Sequence, residues 1–208
     1  LHLSIRRQRQ MCIRDRFTTA STNPFTLTGL TPGTSYEFYV RDSCGPGDVS
    51  DWVGPVTFNT PCATIAAPYS EDFDLNFDEG NGFSNSGSTI DICWNRNPST
   101  GTGTPWFNQP YHWGGGTGTT PSGNTGPSSD HTSGSGSYAY IEASGNNGTS
   151  ADLFTPIIDL DTLSNPELVF WKHQYGNQMG TFSVAISING GSYSTIPVSY
   201  THLRAHET

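Results

Sequence analysis

Apolar residues recur at every second position in several short runs. They do not recur at three-to-four spacing over a helix-length window, so the pattern predicts strands and no long helix. Residues 25–30 alternate, with Phe25, Leu27 and Gly29 on one face. Residues 36–40 alternate with Tyr36, Phe38 and Val40 inward, and residues 56–58 form a third run after a Gly/Pro/Asp loop that holds Trp52. Beyond a spacer at 61–68, residues 69–74 read as an acidic-aromatic strand and residues 90–94 as another. A loop over 95–137 follows, containing Trp106, Phe107, Tyr111, His112 and Trp113; loops of that length fold on themselves or carry function. The remaining predicted strands are 138–143, 168–173 and 181–188, with 151–160 an extended edge segment around Pro156. Trp94 and Trp171 fall in predicted strands and are expected in the core.

The two ends change this picture. Residues 6–16 back-translate to a frame containing TGTATAAGAGACAG, and residues 198–208 to one containing GTCTCTTATACACA. These strings are reverse complements over their shared length, and both resemble the end of a transposase-based sequencing-library adapter. Residues 1–2 fit the adapter's upstream part and residues 3–5 a sample index. The basic arm at the start of the chain, which alone would suggest nucleic-acid binding, is therefore read as library sequence. Residues 1–16 and 198–208 are set aside as adapter-derived, leaving 17–197 as the native insert.

Within that insert Arg41, Arg96 and Lys172 are the only strong bases, against sixteen acids. The net charge is near minus thirteen, where the whole chain carries minus nine. Such a surface excludes nucleic acid as a partner and suits cations. No apolar run approaches the roughly 20 residues of a membrane span. Gly, Ser, Thr, Asn and Pro dominate, with β-branched and aromatic residues in short runs, the composition of an all-β extracellular module.

The spacing Leu30-Thr-Pro-Gly-Thr-Ser-Tyr36 resembles the tyrosine corner of fibronectin type III domains, in which a Tyr hydroxyl bonds back to upstream backbone. Ser50-Asp51-Trp52 and Phe58-Asn59-Thr60 fit the last strands of that family. The resemblance covers residues 17–61 and implies the C-terminal half of an immunoglobulin-like sandwich, with an exposed apolar sheet face and an unpaired edge.

A second resemblance runs from residue 62 to 197. Glu71-Asp72-Phe73, Cys93-Trp94, Gly126-Pro-Ser-Ser-Asp130-His131-Thr132 and Tyr140-Ile-Glu142-Ala143-Ser144 occur in the order of a MAM domain. Leu153-Phe-Thr-Pro156-Ile157, Leu168-Val-Phe170-Trp171, Tyr175-Gly176 and Met179-Gly180 continue it. The resemblance implies a truncated jelly-roll β-sandwich of a secreted or cell-surface protein, non-catalytic and serving adhesion or protein–protein interaction.

Cys12 falls in adapter sequence, leaving Cys44, Cys62 and Cys93. Cys44 ends one predicted strand and Cys62 lies beyond the far end of its neighbour. At about 3.3 Å per residue their Cα atoms are too far apart for a disulfide. The residues alone leave three free thiols open. The MAM resemblance implies a Cys62–Cys93 pair, with the partner of Cys44 lost with the missing half-domain.

Asp130-His131 among serines invites a hydrolase reading, but no Gly-x-Ser-x-Gly elbow accompanies it. The alternative has Asp130 capping the loop before the strand at 138 and His131 packing or bonding to backbone. Glu71, Asp72 and Asp130 are candidate Ca²⁺ ligands, because hard cations take carboxylate oxygens; the competing reading makes them solvated or capping groups. Trp106, Tyr111 and Trp113 are candidate sugar-stacking residues, which would make the chain a carbohydrate-binding module of a secreted hydrolase. The same aromatics would also serve to anchor the long loop onto the sheet. Accessory work beside a peptidase is a third class. Asn147-Gly148-Thr149 matches a glycosylation sequon.

Overall fold

The fold is taken from a computed structural model, which describes residues 2–7, 16–77, 88–99, 113–118, 127–141, 150–175 and 180–197. In chain order the strands are β1 (His2–Arg7), β2 (Arg16–Thr19), β3 (Ser35–Arg41), β4 (Ser43–Gly45), β5 (Asp48–Val49), β6 (Val53–Asn59) and β7 (Ile65–Ala66). They continue as β8 (Asn95–Asn97), β9 (Gly114–Thr117), β10 (Ser137–Tyr140), β11 (Asp152–Phe154), β12 (Ile158–Asp159), β13 (Val184–Ile186) and β14 (Ser194–Ile196). The described residues hold strands and no helix, as the two-residue periodicity predicts. The chain divides into two compact units: Leu1–Ala67 with Pro156–Asp159, and Pro68–Thr155 with Leu160–Thr208.

In the first unit a four-stranded antiparallel sheet runs β2-β1-β3-β6. Tyr36 on β3 is its buried centre, packed by Phe25, Leu27, Leu30, Phe38, Val40 and Phe58. Tyr36 and Phe58 stack at 5.8 Å, and Phe38 meets Phe58 edge-on at 6.0 Å. The inward alternation of β3 is as predicted. The Thr31 N–H donates to Tyr36 Oη at 2.9 Å, the bond the Leu30–Tyr36 spacing anticipates. Gly33, at φ 57, turns the chain there, and its N–H donates to Pro61 O at 3.0 Å. Tyr36→Phe keeps the ring and removes the oxygen that Thr31 N–H uses. A loss of about 1 kcal/mol in urea unfolding is expected, with ring packing unchanged; an unaltered midpoint would refute it.

One expectation is corrected in this unit. Residues 25–30 form no ladder, although Phe25, Leu27 and Leu30 do turn onto the Tyr36 core. The unpaired edge expected here falls on β6, which ends the sheet, while β3 pairs with β6 on one side and β1 on the other. The exposed apolar face is present on β6, where Val53 and Val56 are exposed. Ile65 and Ala67 N–H groups bond to Ile157 and Asp159 carbonyls at 2.9 Å, forming the parallel β7–β12 bridge. That places β12 in the extended segment predicted over 151–160.

The second unit is built from two-stranded ladders: β8 with β11, β9 with β10, and β13 with β14. Its core holds an aromatic triad. Phe73, Phe77 and Trp94 contact one another edge-on at 5.0 to 5.6 Å, and Phe77 and Trp94 are buried. Strand β9 presents Gly114, Gly115 and Gly116 opposite Tyr140, Ala139 and Tyr138. A Cβ on Gly116 would stand 2.8 Å from Tyr140 Cδ1 and 3.0 Å from Tyr138 Cε2. Glycine there lets both tyrosine rings lie against bare backbone.

Several predicted strands are corrected. Residues 69–74 are not a strand: Phe73 and Asn76 sit at φ 65 and 64, in the left-handed region. Glu71 Oε1 accepts the Phe73 N–H at 2.9 Å and Asp72 Oδ1 the Asp74 N–H at 3.1 Å, side-chain bonds that compete with a ladder. Residues 90–94 form a turn for the same reason, with Asp91 Oδ1 accepting the Cys93 N–H at 2.8 Å. The strand follows it, as β8. The predicted loop over 95–137 thus contains β8 and β9. The strand predicted over 138–143 is β10, ending at Tyr140, with 142–143 outside the described residues. That predicted over 181–188 shortens to β13. Residues 168–173 have no ladder, and Trp171 is 58% exposed rather than in the core. Trp94 is buried as expected.

Candidate functional site: the Asp130 loop and its aromatic stack

Residues 127–136 have no repeating backbone pattern, so carboxylates give the loop its shape. Asp130, itself buried, accepts from Ser133 N–H at 2.6 Å, Gly136 N–H at 2.7 Å and the Ser133 hydroxyl at 3.1 Å. Asp74 Oδ1 accepts the Ser137 N–H at 2.6 Å and ties the first residue of β10 to the segment after the triad's Phe73. A Cβ on Gly136 would collide with Asp74 Oδ1, so glycine lets the loop approach that carboxylate. The capping role read for Asp130 is what its bonds describe. Asp74 was missed, and the alternating acids of 71–74 hid it.

The Ser133 N–H, with the Gly136 N–H, the Ser133 hydroxyl and the Thr132 N–H, holds the Asp130 carboxyl down at about 2, against the opposing effect of burial. Because its folded pKa is depressed, its contribution is complete above the unfolded value near 3.8 and disappears as pH falls through about 2. Thermal melts between pH 5 and 2 are therefore expected to show wild type losing its advantage over Asp130→Asn in that window. A difference that is flat with pH would disprove the loop-cap assignment.

On this loop His131 lies exposed with its ring stacked on Trp171, centroids 3.5 Å apart and planes at 13°. The expectation that His131 packs is met, on an aromatic partner. Asp130 spends its oxygens on the loop's own donors and His131 stacks on a ring, an arrangement of a cap and a surface contact. Around the stack the chain is open: Leu168 and Val169 are exposed, with Phe170 and Tyr175 at the margin.

Glu71 is engaged at both oxygens, by the Tyr69 hydroxyl at 2.6 Å and the Phe73 N–H. Burial, then the bond to Glu71, pushes the Tyr69 phenol up to about 12. Asp72 caps the Asp74 N–H. The three carboxylates proposed for Ca²⁺ thus accept bonds from their own loops. Among the described residues no three His, Cys, Asp or Glu side chains gather as a metal site.

Of the aromatic candidates, Trp106 and Tyr111 lie outside the described residues. Trp113 is half-buried and its Nε1–H donates to Ala151 O at 3.1 Å, an anchoring contact. Its carbonyl accepts from Arg96 Nη1, which also reaches the Ser88 hydroxyl at 3.1 Å, while Nη2 reaches Ser88 O at 2.9 Å. Arg96 also bonds Ser99 O through Nε at 3.0 Å, and burial lowers its pKa from the ordinary value. Sequence reasoning missed this tie; its signal was that Arg96 is one of three strong bases in an acidic insert. Cys62 and Cys93 are disulfide-bonded, as the resemblance implied, and Cys44 is free and exposed.

The described loop is thus a carboxylate-clamped turn with exposed rings beside it. The model of the MAM domain family (meprin/A5/mu) matches residues 77–206, and the chain belongs to that family. MAM domains are non-catalytic, jelly-roll-type β-sandwiches that serve as extracellular adhesion and interaction modules of larger proteins. The match begins after Glu71-Asp72-Phe73 and runs on past 197 into the tail read above as adapter. No solved structure matches the chain. Among the described residues no helix is long and apolar enough to cross a membrane.

Proposed function

We propose that the chain is an adhesion module of a larger secreted or cell-surface protein, engaging a protein partner through the surface around Trp171. The observation that supports this is the run Leu168-Val169-Phe170-Trp171, four large apolar residues exposed in succession and joined by the His131 stack. Contiguous apolar exposure on a soluble module marks a contact surface. Residues 17–61 enter the proposal as the C-terminal half of a fibronectin type III domain, supported by the Thr31–Tyr36 bond. Residues 62–197 are taken as the MAM-like module, and 1–16 and 198–208 as library sequence, a reading that rests on the back-translation of those two ends.

The test is binding of chain-coated beads to cell surfaces. Adhesion is expected to fall at least tenfold with Trp171→Ser and to vanish when the cells are first treated with protease. Adhesion that survives protease but disappears with glycosidase would replace the protein partner by a glycan.

A further inference from the structure

Residues 166–175 run on without a turn or bend, and none of them lies in the left-handed region. The ring contacts show that the run is extended. Phe170 meets Phe182 with centroids 5.6 Å apart, and Lys172 Nζ stands 5.0 Å from the centroid of the same ring, so residues two apart share one face. Trp171, between them, turns the other way and stacks on His131. Side chains on both faces thus tie the run to its unit, and its two edges are left to the main chain. No ladder includes these residues, and among the described residues no backbone hydrogen bond involves Leu168, Val169, Phe170 or Trp171. Leu-Val-Phe-Trp is strongly strand-forming, so the sequence favours a ladder that the described residues do not supply.

We propose that residues 168–171 are an acceptor edge to which a partner protein adds one extended strand; this rests on reading the surface around Trp171 as the contact site. An extended chain is the occupant that a main chain without a ladder recognises, because its own N–H and C=O groups complete the pairing. Its side chains fall alternately beside Val169 and Trp171 on one face and Leu168 and Phe170 on the other, all exposed and apolar. Charge argues against a second copy as the occupant. The chain carries a net charge of minus nine, so two copies repel, and the favoured strand is apolar with basic ends.

The experiment uses the full chain and a fluorescent peptide of alternating valine and threonine with lysine at each end, titrated by anisotropy. Saturable binding is expected. Methylating the backbone nitrogens of one or the other alternate set removes the N–H donors of one edge and keeps every side chain. One of the two methylated peptides should bind at least tenfold more weakly, and glutamate in place of the terminal lysines should cost about threefold at low salt. In the chain, Leu168→Pro and Val169→Pro each disable one edge, and one of them should weaken binding at least fivefold more than the matching alanine. Undiminished binding of both methylated peptides, or no binding of the parent peptide, overturns the proposal. Sedimentation showing dimers that either proline variant disperses would also overturn it, assigning the edge to a second copy. Should a proline variant unfold, the methylated peptides decide on the parent chain. Bead adhesion separates the proposal from the reading beneath it. If Trp171→Ser abolishes adhesion while neither proline variant lowers it beyond alanine, strand addition fails and the contact surface stands. If Trp171→Ser leaves adhesion intact, both fall.

Discussion

Trp94→Ala is expected to destabilise the second unit by about 3–5 kcal/mol, the range for removing a large buried aromatic. Trp94 is 9% exposed and meets both Phe73 and Phe77 edge-on, so truncation removes two aromatic contacts and leaves a void between them. Each such pair adds roughly 0.5–1.5 kcal/mol beyond its buried area. The surrounding chain is poorly placed to collapse into the space. Phe73 is held in the left-handed region by Glu71, and β8 begins at the residue after Trp94. Melting followed by near-ultraviolet circular dichroism should fall by on the order of 10 °C. Trp94→Phe, which keeps a ring between Phe73 and Phe77, should recover more than half of that loss. A drop below about 1 kcal/mol for the alanine variant would mean the triad is not the core of this unit.

Removing the Cys62–Cys93 disulfide is the second large effect. The bond closes a loop of about thirty residues, for which loop-closure entropy in the unfolded chain gives roughly 3–4 kcal/mol. The double variant Cys62→Ser, Cys93→Ser should therefore unfold at distinctly lower urea concentration, with an increased dependence on denaturant because its unfolded state is less compact. Wild type in strong reductant should coincide with the double variant, whereas Cys44→Ser should be neutral. If reductant left the unfolding curve of wild type unmoved, the bond would contribute nothing, whatever its geometry.

What the residues revealed in advance followed from how local the determining physics is. The alternation of Tyr36, Phe38 and Val40 needs only a two-residue period, and the Thr31–Tyr36 bond only a five-residue spacing; both were legible. The family order of motifs carried the Cys62–Cys93 pair. The alternation at 69–74 misled because Glu71 and Asp72 bond to the backbone two residues on, a competition that hydrophobic period does not register. The run at 168–171 misled in the opposite way. Its apolar residues read as a buried strand, but burial needs a partner element, and the described residues supply Trp171 only with His131. Asp74 and Arg96 escaped notice because their partners stand 63 residues away at Ser137 and 17 away at Trp113, with no spacing rule connecting them.

The disulfide-bounded triad also sets an order of assembly. Phe73 and Phe77 lie inside the loop closed by Cys62 and Cys93, and Trp94 immediately follows it, so all three are neighbours along the chain. The Asp74–Ser137 bond closes a separation of 63 residues. Short closures lose less entropy and form sooner than long ones. A chain folding from its first residues therefore gathers its rings, and brings two thiols together, before the Asp130 loop has met the carboxylate that docks it. On that ordering the exposed rings of His131 and Trp171 take shape after the triad, against a core already closed by its disulfide.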